Sequence, residues 1–125
     1  MDVNRPEIVA EVTAAFERYE AALVSNDVAA LDALFWDSPQ TIRYGGGENL
    51  YGIEAIRAFR GARPAAGLMR TRSRTVITTF GADFATASTL FHRTPGQVGR
   101  QMQSWARMPQ GWCVVAASVS VIPEP

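Results

Sequence analysis

The chain has 125 residues, 47% of them hydrophobic and 19% charged, which is the size and composition of one globular domain covering residues 1–125. Its basic residues are all arginine and equal the acidic residues in number, so the formal net charge is zero. A neutral chain with no basic stripe argues against nucleic acid and anionic membranes as partners, and the absence of lysine excludes Schiff-base chemistry by a side chain.

The single cysteine and the lack of long apolar runs bear on the compartment. Cys113 lies in an apolar run and has no second cysteine to pair with, so we expect a buried and unreactive thiol. No apolar run approaches the ~20 residues of a membrane-spanning helix, and residues 1–5 lack the features of a signal peptide. A cytoplasmic protein is therefore expected.

A long amphipathic helix is predicted at the N-terminus. Asn4, with Glu7 three residues later, indicates a capping box at its start. The apolar residues at helical spacing are Ile8, Val9, Val12, Ala15, Phe16, Tyr19, Ala22 and Leu23. Glu20 is expected to lie off this stripe. Tyr19 faces the interior, either as a core residue with a satisfied hydroxyl or with that hydroxyl open to a pocket.

Two shorter helices are predicted before the main sheet. Asn26 or Asp27 caps the second helix, over residues 28–35. The third helix covers residues 53–61. Ile53, Ile56 and either Phe59 or Arg60 are predicted on its buried face, and Arg63 just after it is predicted to be exposed.

A strand over residues 40–45 carries the most concentrated polar chemistry of the chain. Alternation places Arg43 on one face and Tyr44 on the other. The glycines at 45–47 provide the freedom for a turn with positive φ. Further polar side chains follow at once, namely Glu48, Asn49 and Tyr51. One interpretation is a small concave site around Arg43, and the other is a solvated strand end with Arg43 paired to Glu48.

The C-terminal half has the two-residue period of a sheet. Four strands separated by short hairpin turns are predicted at residues 69–80, 84–93, 98–108 and 112–122. In the third of them Gln101, Gln103 and Trp105 share one face. Together the elements predict an α+β fold, with three helices on a strongly curved, mixed and mainly antiparallel sheet that encloses a pocket.

Motifs of the common enzyme classes are missing from the sequence. There is no GxSxG, P-loop, HExxH, CxxC or Rossmann glycine pattern. The only histidine, His92, is predicted at a strand end, and a single histidine excludes any site with two histidine ligands. We expect neither a metal nor another cofactor. What remains is Arg43, whose fork of donors suits a carboxylate, and Tyr19 as a proton donor.

Fragments along nearly the whole chain together resemble one known family. They are FERYEAAL, LDALFWDSP, TIRYG, ENLYG, AIRAFR, RTVITTFGADFATA, GRQMQSW and GWCVVAASVS. The sequence is similar to the AtzH and HpxZ family of nuclear-transport-factor-two-like proteins, which belong to the SnoaL-like, cystatin-like superfamily. The resemblance implies a cone-shaped α+β fold that is commonly dimeric through the sheet face.

The resemblance also implies an activity. AtzH-like members are linked to the catabolism of cyanuric acid and related ureido compounds, in which a decarboxylating amidohydrolase converts 1,3-dicarboxyurea to allophanate, and HpxZ-like members to oxalurate breakdown. The family's catalytic tyrosine and arginine correspond to Tyr19 of FERYEAAL and Arg43 of TIRYG. We expect the substrate-binding set to be Trp36, Tyr44, Asn49, Tyr51, Gln101, Gln103, Trp105 and Ser118. Ser118 stands where the family often has histidine, and Met102 where a small polar residue is common.

Three functions stay open. The first is hydrolysis of a small carboxylated urea, without a cofactor and alongside a separate amidase. The second is a non-catalytic protein that binds a carboxylated metabolite or supports an amidase. The third, isomerase or dehydratase chemistry, needs a carboxylate in the pocket, for which Asp37 and Glu48 are the candidates. In the plainest alternative, Gln101 and Gln103 lie on an exposed sheet face, and the tryptophans Trp36 and Trp105 only pack.

Overall fold

Three helices and six strands make up the computed structural model of the chain, which describes residues 1–125. The helices are α1 (Pro6–Val24), α2 (Val28–Ala33) and α3 (Ile53–Ala62). The strands are β1 (Ile42–Tyr44), β2 (Asn49–Tyr51), β3 (Thr71–Phe80), β4 (Phe84–His92), β5 (Gln97–Met108) and β6 (Gly111–Pro123). The predicted helices and the four long strands are confirmed, whereas β2 was not predicted.

The six strands form one mixed sheet in the order β2-β1-β6-β5-β4-β3. All neighbouring strands are antiparallel except β1 and β6, which are parallel. The predicted α+β fold, with helices packed on a mixed and mainly antiparallel sheet, is confirmed. None of the three helices is both long and apolar enough to cross a bilayer. The cytoplasmic location stays a prediction.

The hydrophobic core lies between the helices and one face of the sheet. Helix α1 buries the stripe predicted from its spacing, because residues three and four apart share a face. The sheet residues that belong to the core cluster are Ala85, Ala87, Trp105, Trp112, Val114 and Ala117. Helices and sheet thus contribute to one cluster of 17 buried residues, in which each large side chain stabilises the fold by roughly 1.5–3 kcal/mol.

The sheet has an inner face, towards the helices, and an outer face, away from them. One inner row crosses five strands through Arg43, Ala117, Gln103, Ala87 and Ile77. The adjacent outer row consists of Tyr44, Ser118, Met102, Ser88 and Val76. A β-bulge in β6, opposite Ser104 and Trp105, shifts the register, so Val114 faces inward as Ala117 does.

The start of α1 differs from its prediction. Asn4 does not cap the helix, because its Oδ1 accepts a hydrogen bond from the Thr79 N–H at 2.9 Å and so ties the N-terminus to β3. Arg5 occupies the cap position without a side-chain hydrogen bond. Asp27 does cap α2, accepting from the Ala30 N–H at 3.1 Å.

The glycines between β1 and β2 serve a purpose other than the one predicted. None of the residues 45–47 has positive φ. Gly45 provides space, since a Cβ there would overlap the Glu48 carboxylate, which folds back towards Arg43. The tight hairpin therefore keeps an acceptor beside Arg43.

Candidate functional site

Tyr19 lies on the buried face of α1 and is 5% exposed. Its ring centroid is 6.2 Å from that of Phe35, which follows α2. None of the interior side-chain hydrogen bonds, which involve Arg60, Arg70 and Trp105, uses the Tyr19 hydroxyl. That hydroxyl is therefore available to a ligand.

Arg43 projects from β1 on the inner face, with its side chain 12% exposed. Its Nη1 lies 3.4 Å from Oε1 of Glu48, so the alternative ion pair is present, at a distance that is long for a strong contact. Its guanidinium carbon lies 5.3 Å from the ring centroid of Phe59. Arg43 and Tyr19 both lie within electrostatic reach of the Arg60 guanidinium, which places each of them in the neighbourhood of Arg60.

Two arginines at the end of α3 belong to the same region. Arg60 is 2% exposed and donates from Nη1 to Asp32 Oδ1 at 3.1 Å, and burial lowers its pKa. Arg63 is half-buried, and its Nε and Nη2 atoms are buried without hydrogen-bond partners. The prediction that Arg63 is exposed is therefore wrong. Burial, followed by the nearby charge of Arg43, lowers the pKa of Arg63.

A buried ion pair connects α1 to the segment before β3. Glu20 is 5% exposed and contacts the guanidinium of Arg70, whose side chain is 2% exposed. Arg70 Nη2 also donates to Gln101 Oε1 at 3.0 Å, and its guanidinium carbon lies 4.4 Å from the Phe91 ring centroid. The prediction that Glu20 lies off the buried stripe is wrong, because a partner 50 residues away neutralises its charge.

Strand β5 presents the three residues that the alternation placed on one face. Gln101 and Gln103 are each 2% exposed and Trp105 is fully buried, so the exposed-face alternative is wrong. Trp105 Nε1 donates to Gln103 Oε1 at 3.1 Å. The Nε2 atoms of both glutamines are buried without partners. An unsatisfied buried donor costs about 1–3 kcal/mol, so these two amides need acceptors that the chain itself does not supply.

Arg93 lies at the rim of this region, just beyond β4. Its Nη2 donates to the Leu68 carbonyl at 3.0 Å, and burial, followed by the charge of Arg70, lowers its pKa. It lines a hollow of about 90 Å³ together with Phe91 and Gly99, which belong to the inner row next to that of Gln101. The larger hollows of the surface are not lined by Tyr19, Arg43 or Arg63, and Gln103 borders one of them, of about 290 Å³.

Five arginines, each within electrostatic reach of at least one other, form what we name the arginine cluster: Arg43, Arg60, Arg63, Arg70 and Arg93. Ion pairs neutralise three of them, joining Arg43 to Glu48, Arg60 to Asp32 and Arg70 to Glu20. Arg63 and Arg93 have no carboxylate partner. Because a guanidinium stays protonated, the cluster carries uncompensated positive charge and favours a small anion.

Four residues predicted to bind substrate lie on the other side of the sheet. By register, the outer positions include Tyr44, Asn49, Tyr51 and Ser118. The Tyr44 hydroxyl lies 3.1 Å from the Tyr51 hydroxyl. The structure does not bring this set together with Tyr19 and Arg43, because Tyr44 follows Arg43 directly in a strand and so points away from it.

Other candidate residues also lie apart from the cluster. Trp36 is half-buried, and its neighbour Phe35 is the residue that meets the tyrosine of α1. Asp37 is exposed and pairs with an arginine of α3, so nothing favours it as a base. His92 ends β4, as predicted, with Nε2 at 3.0 Å from Ser73 Oγ. No three side chains of His, Cys, Asp or Glu lie together as a metal site would require.

Comparison with known proteins settles the family. The profile of the AtzH-like family matches residues 1–125. The chain belongs to the AtzH-like family. A search of curated proteins gave no match.

Solved structures similar to this AtzH-like chain cover nearly its whole length. A protein of unknown function from Pectobacterium atrosepticum has 62% identity and a TM-score of 0.95, over 97% of this chain and 95% of that one. A cystatin-like fold protein from Burkholderia xenovorans has 54% identity and a TM-score of 0.95, over 100% and 99%. An NTF2-like protein of unknown function from Pseudomonas putida, at 19% identity, TM-score 0.79 and coverage of 93% and 87%, shares the fold.

The sequence held two signs of the buried arginines in this AtzH-like site. All the basic residues are arginine, the cation that proteins bury most readily in pairs. Arg60 also stands seven residues after Ile53 and four after Ile56, on the buried face of α3. Nothing local marks Arg63, Arg70 or Arg93.

Proposed function

We propose that this AtzH-like protein binds and hydrolyses a small carboxylated urea, with 1,3-dicarboxyurea as substrate and allophanate as product. One observation carries the proposal, namely that the Nε and Nη2 of Arg63 and the Nε2 atoms of Gln101 and Gln103 are buried donors without partners. A dicarboxylated urea offers oxygen acceptors on two carboxylates and a carbonyl. Such a ligand matches both the excess of donors and the positive charge of the arginine cluster.

Arg43 and Tyr19 have separate roles in the proposed reaction. Arg43 anchors one carboxylate, and Tyr19 gives its hydroxyl proton to the nitrogen as the carbamate C–N bond breaks. The carboxylate carbon leaves as carbon dioxide, and the nitrogen becomes the amino group of allophanate. A water molecule returns a proton to Tyr19, and the hydroxide ion that remains from the water combines with the carbon dioxide to form bicarbonate. The N–H donors around the substrate stabilise charge that develops on oxygen.

Incubation with 1,3-dicarboxyurea, followed by measurement of allophanate, tests the reaction. Tyr19→Phe keeps the ring beside Phe35 and removes the proton, so we expect kcat to fall about 10²-fold or more while substrate affinity changes little. Tyr44→Phe makes the same change on the outer face and should keep full activity. Unchanged turnover of 1,3-dicarboxyurea in both Tyr19→Phe and Arg43→Gln would contradict the proposed mechanism.

A non-catalytic role at the same site is the second candidate. It is supported by the burial of the unpartnered donors, which suits retention of a carboxylated metabolite as well as turnover. An amidase that consumes allophanate should then work faster with this chain present, and equally so with Tyr19→Phe. Allophanate formation by the chain alone would contradict this role.

We also propose that two copies associate through the outer face. Tyr44, Val76 and Met102 are exposed there, beside hollows of about 480 and 290 Å³. A net charge of zero means that two copies do not repel each other. Met102→Glu should convert a dimer to a monomer in sedimentation, whereas Met69→Glu, at an exposed position before β3, should not. A monomer in the unaltered protein would contradict the proposal.

A further inference from the structure

The two glutamine amides of β5 are held by neighbours that can only donate hydrogen bonds. Trp105 Nε1 lies 3.1 Å from the amide of Gln103, and Arg70 Nη2 lies 3.0 Å from that of Gln101. Indole and guanidinium N–H groups have no acceptor capacity. The amide atom in each contact is therefore the oxygen, and the NH₂ group of each glutamine is the one left without a protein partner.

These two NH₂ groups form a wall of donors on β5. Gln101 and Gln103 lie two residues apart on the inner face of the strand, about 7 Å along it, and each is 2% exposed. The only unpartnered buried polar atom of each side chain is the amide nitrogen, a donor.

We infer that Arg70 and Trp105 are positioning residues that make this wall selective for acceptor atoms. The inference rests on the proposed function and deepens it. A ligand carboxylate has two oxygens that accept hydrogen bonds from the NH₂ groups of Gln101 and Gln103. A primary amide of the same shape has an NH₂ group in place of one oxygen, and that donor would face the glutamine donors. The site therefore takes dicarboxylates and rejects the corresponding monoamides.

The two positioning residues are themselves fixed by buried contacts. Arg70 is held by Glu20 and lies over the ring of Phe91, which in turn covers Gly99, where a Cβ would overlap the ring. Trp105 is fully buried in the core cluster. Neither donor turns away without disrupting this packing, so both amides are oriented before a ligand binds.

Calorimetric titration with malonate and malonamate tests the inference, because these two probes differ only in one carboxylate against one amide. The unaltered protein should bind malonate more tightly. Trp105→Phe frees the Gln103 amide to turn its oxygen inward. We expect malonate affinity to fall about tenfold, the worth of one charge-assisted hydrogen bond, while malonamate affinity stays equal or rises. Trp112→Phe, which removes an indole that donates to Glu11 at 3.0 Å, is the matched control and should leave the ratio unchanged.

An unchanged ratio in Trp105→Phe, or equal weakening of both probes as a merely structural role would give, overturns the inference. So does a lack of malonate binding to the unaltered protein. If Trp105→Phe fails to fold, Gln103→Glu replaces the NH₂ by an acceptor and should weaken malonate at least tenfold, about the worth of one charged hydrogen bond. Gln110→Glu, in the exposed turn between β5 and β6, is the control for this variant. Unchanged malonate affinity in Gln103→Glu would also overturn the inference.

Allophanate production is measured on the same variants. Selectivity for malonate without any turnover of 1,3-dicarboxyurea would contradict the proposed reaction and support the positioning role. Turnover of 1,3-dicarboxyurea, together with an unchanged ratio of malonate to malonamate affinity in Trp105→Phe, would contradict the positioning role and support the proposed reaction.

Discussion

Arg43 and Gln103 lie on one inner row of the sheet with only Ala117 between them. The parallel pairing of β1 with β6 sets Arg43 beside Ala117, and the antiparallel pairing of β6 with β5 sets Ala117 beside Gln103. Arg43 and Gln103 are two strand spacings of ~4.8 Å apart, so their Cα atoms are separated by about 10 Å. Only the methyl group of Ala117 stands between these two long polar side chains on the inner face.

Removing the unpaired charge of Arg63 should stabilise the protein and weaken anion binding. Its guanidinium has two buried nitrogens without partners, and burial lowers its pKa, which shows that the charged form is disfavoured there. We expect Arg63→Met to raise Tm in buffer without carboxylates and to lower malonate affinity about tenfold or more. Differential scanning calorimetry and titration measure the two effects.

Arg57→Met is the matched control for that prediction, since Arg57 lies on the same helix but pairs at the surface with Glu54. It should change Tm and malonate affinity little. Malonate itself should raise the Tm of the unaltered protein more than that of Arg63→Met, because stabilisation by a ligand grows with the logarithm of its affinity. Equal behaviour of the two variants would contradict an anion-binding role for Arg63.

Glu20 should be far more important for stability than a surface carboxylate. In Glu20→Gln the Arg70 charge stays buried without its carboxylate, and breaking such a pair typically costs about 3 kcal/mol in the free energy of unfolding. Glu54→Gln removes an exposed partner of Arg57 and should cost less than about 0.5 kcal/mol. Urea unfolding curves for both variants give the comparison, and similar small values would mean that the buried pair contributes little.

The course of the chain could be predicted because periodicity reports which face of an element is buried. The stripe of α1 placed Tyr19 inside, and it is inside; the alternation of β5 placed Gln103 on the same face as Trp105, and that face is the buried one. Alternation also placed Tyr44 on the face opposite Arg43, and the structure agrees. The prediction that Tyr44 and Arg43 share one site was based on their proximity in sequence, although adjacent strand residues point to opposite faces.

The parts that could not be predicted depend on partners distant in sequence. A pattern treats Glu20 as exposed because its neutralising partner, Arg70, is contributed by another element. Strand β2 has three residues, too few to show a period. The inward orientation of Val114 depends on a β-bulge that changes the register of β6, and no local sequence feature marks it.

The same substitution should have opposite effects at two glycines. Gly99 lies under the ring of Phe91, and a Cβ would overlap a ring already held by the guanidinium of Arg70. Gly99→Ala should therefore lower the free energy of unfolding by about 1–3 kcal/mol. Gly61 lies in α3 with open space around it, so Gly61→Ala should raise that free energy by roughly 0.5 kcal/mol. Chemical denaturation distinguishes the signs, and a neutral Gly99→Ala would show that the ring shifts freely.

Cys113 should be inert in the folded protein and should make stability depend on pH. It is 1% exposed, and burial raises its pKa, so its reactive thiolate is scarcer than that of a free cysteine. Labelling with iodoacetamide at pH 8 should be slow in native protein and fast in urea. Because the folded state favours the neutral thiol, the free energy of unfolding should fall as pH rises above about 8.5, where the unfolded thiol ionises. Cys113→Val removes that titration and should show a smaller fall between pH 8 and pH 10, and rapid labelling of native protein would contradict the buried placement.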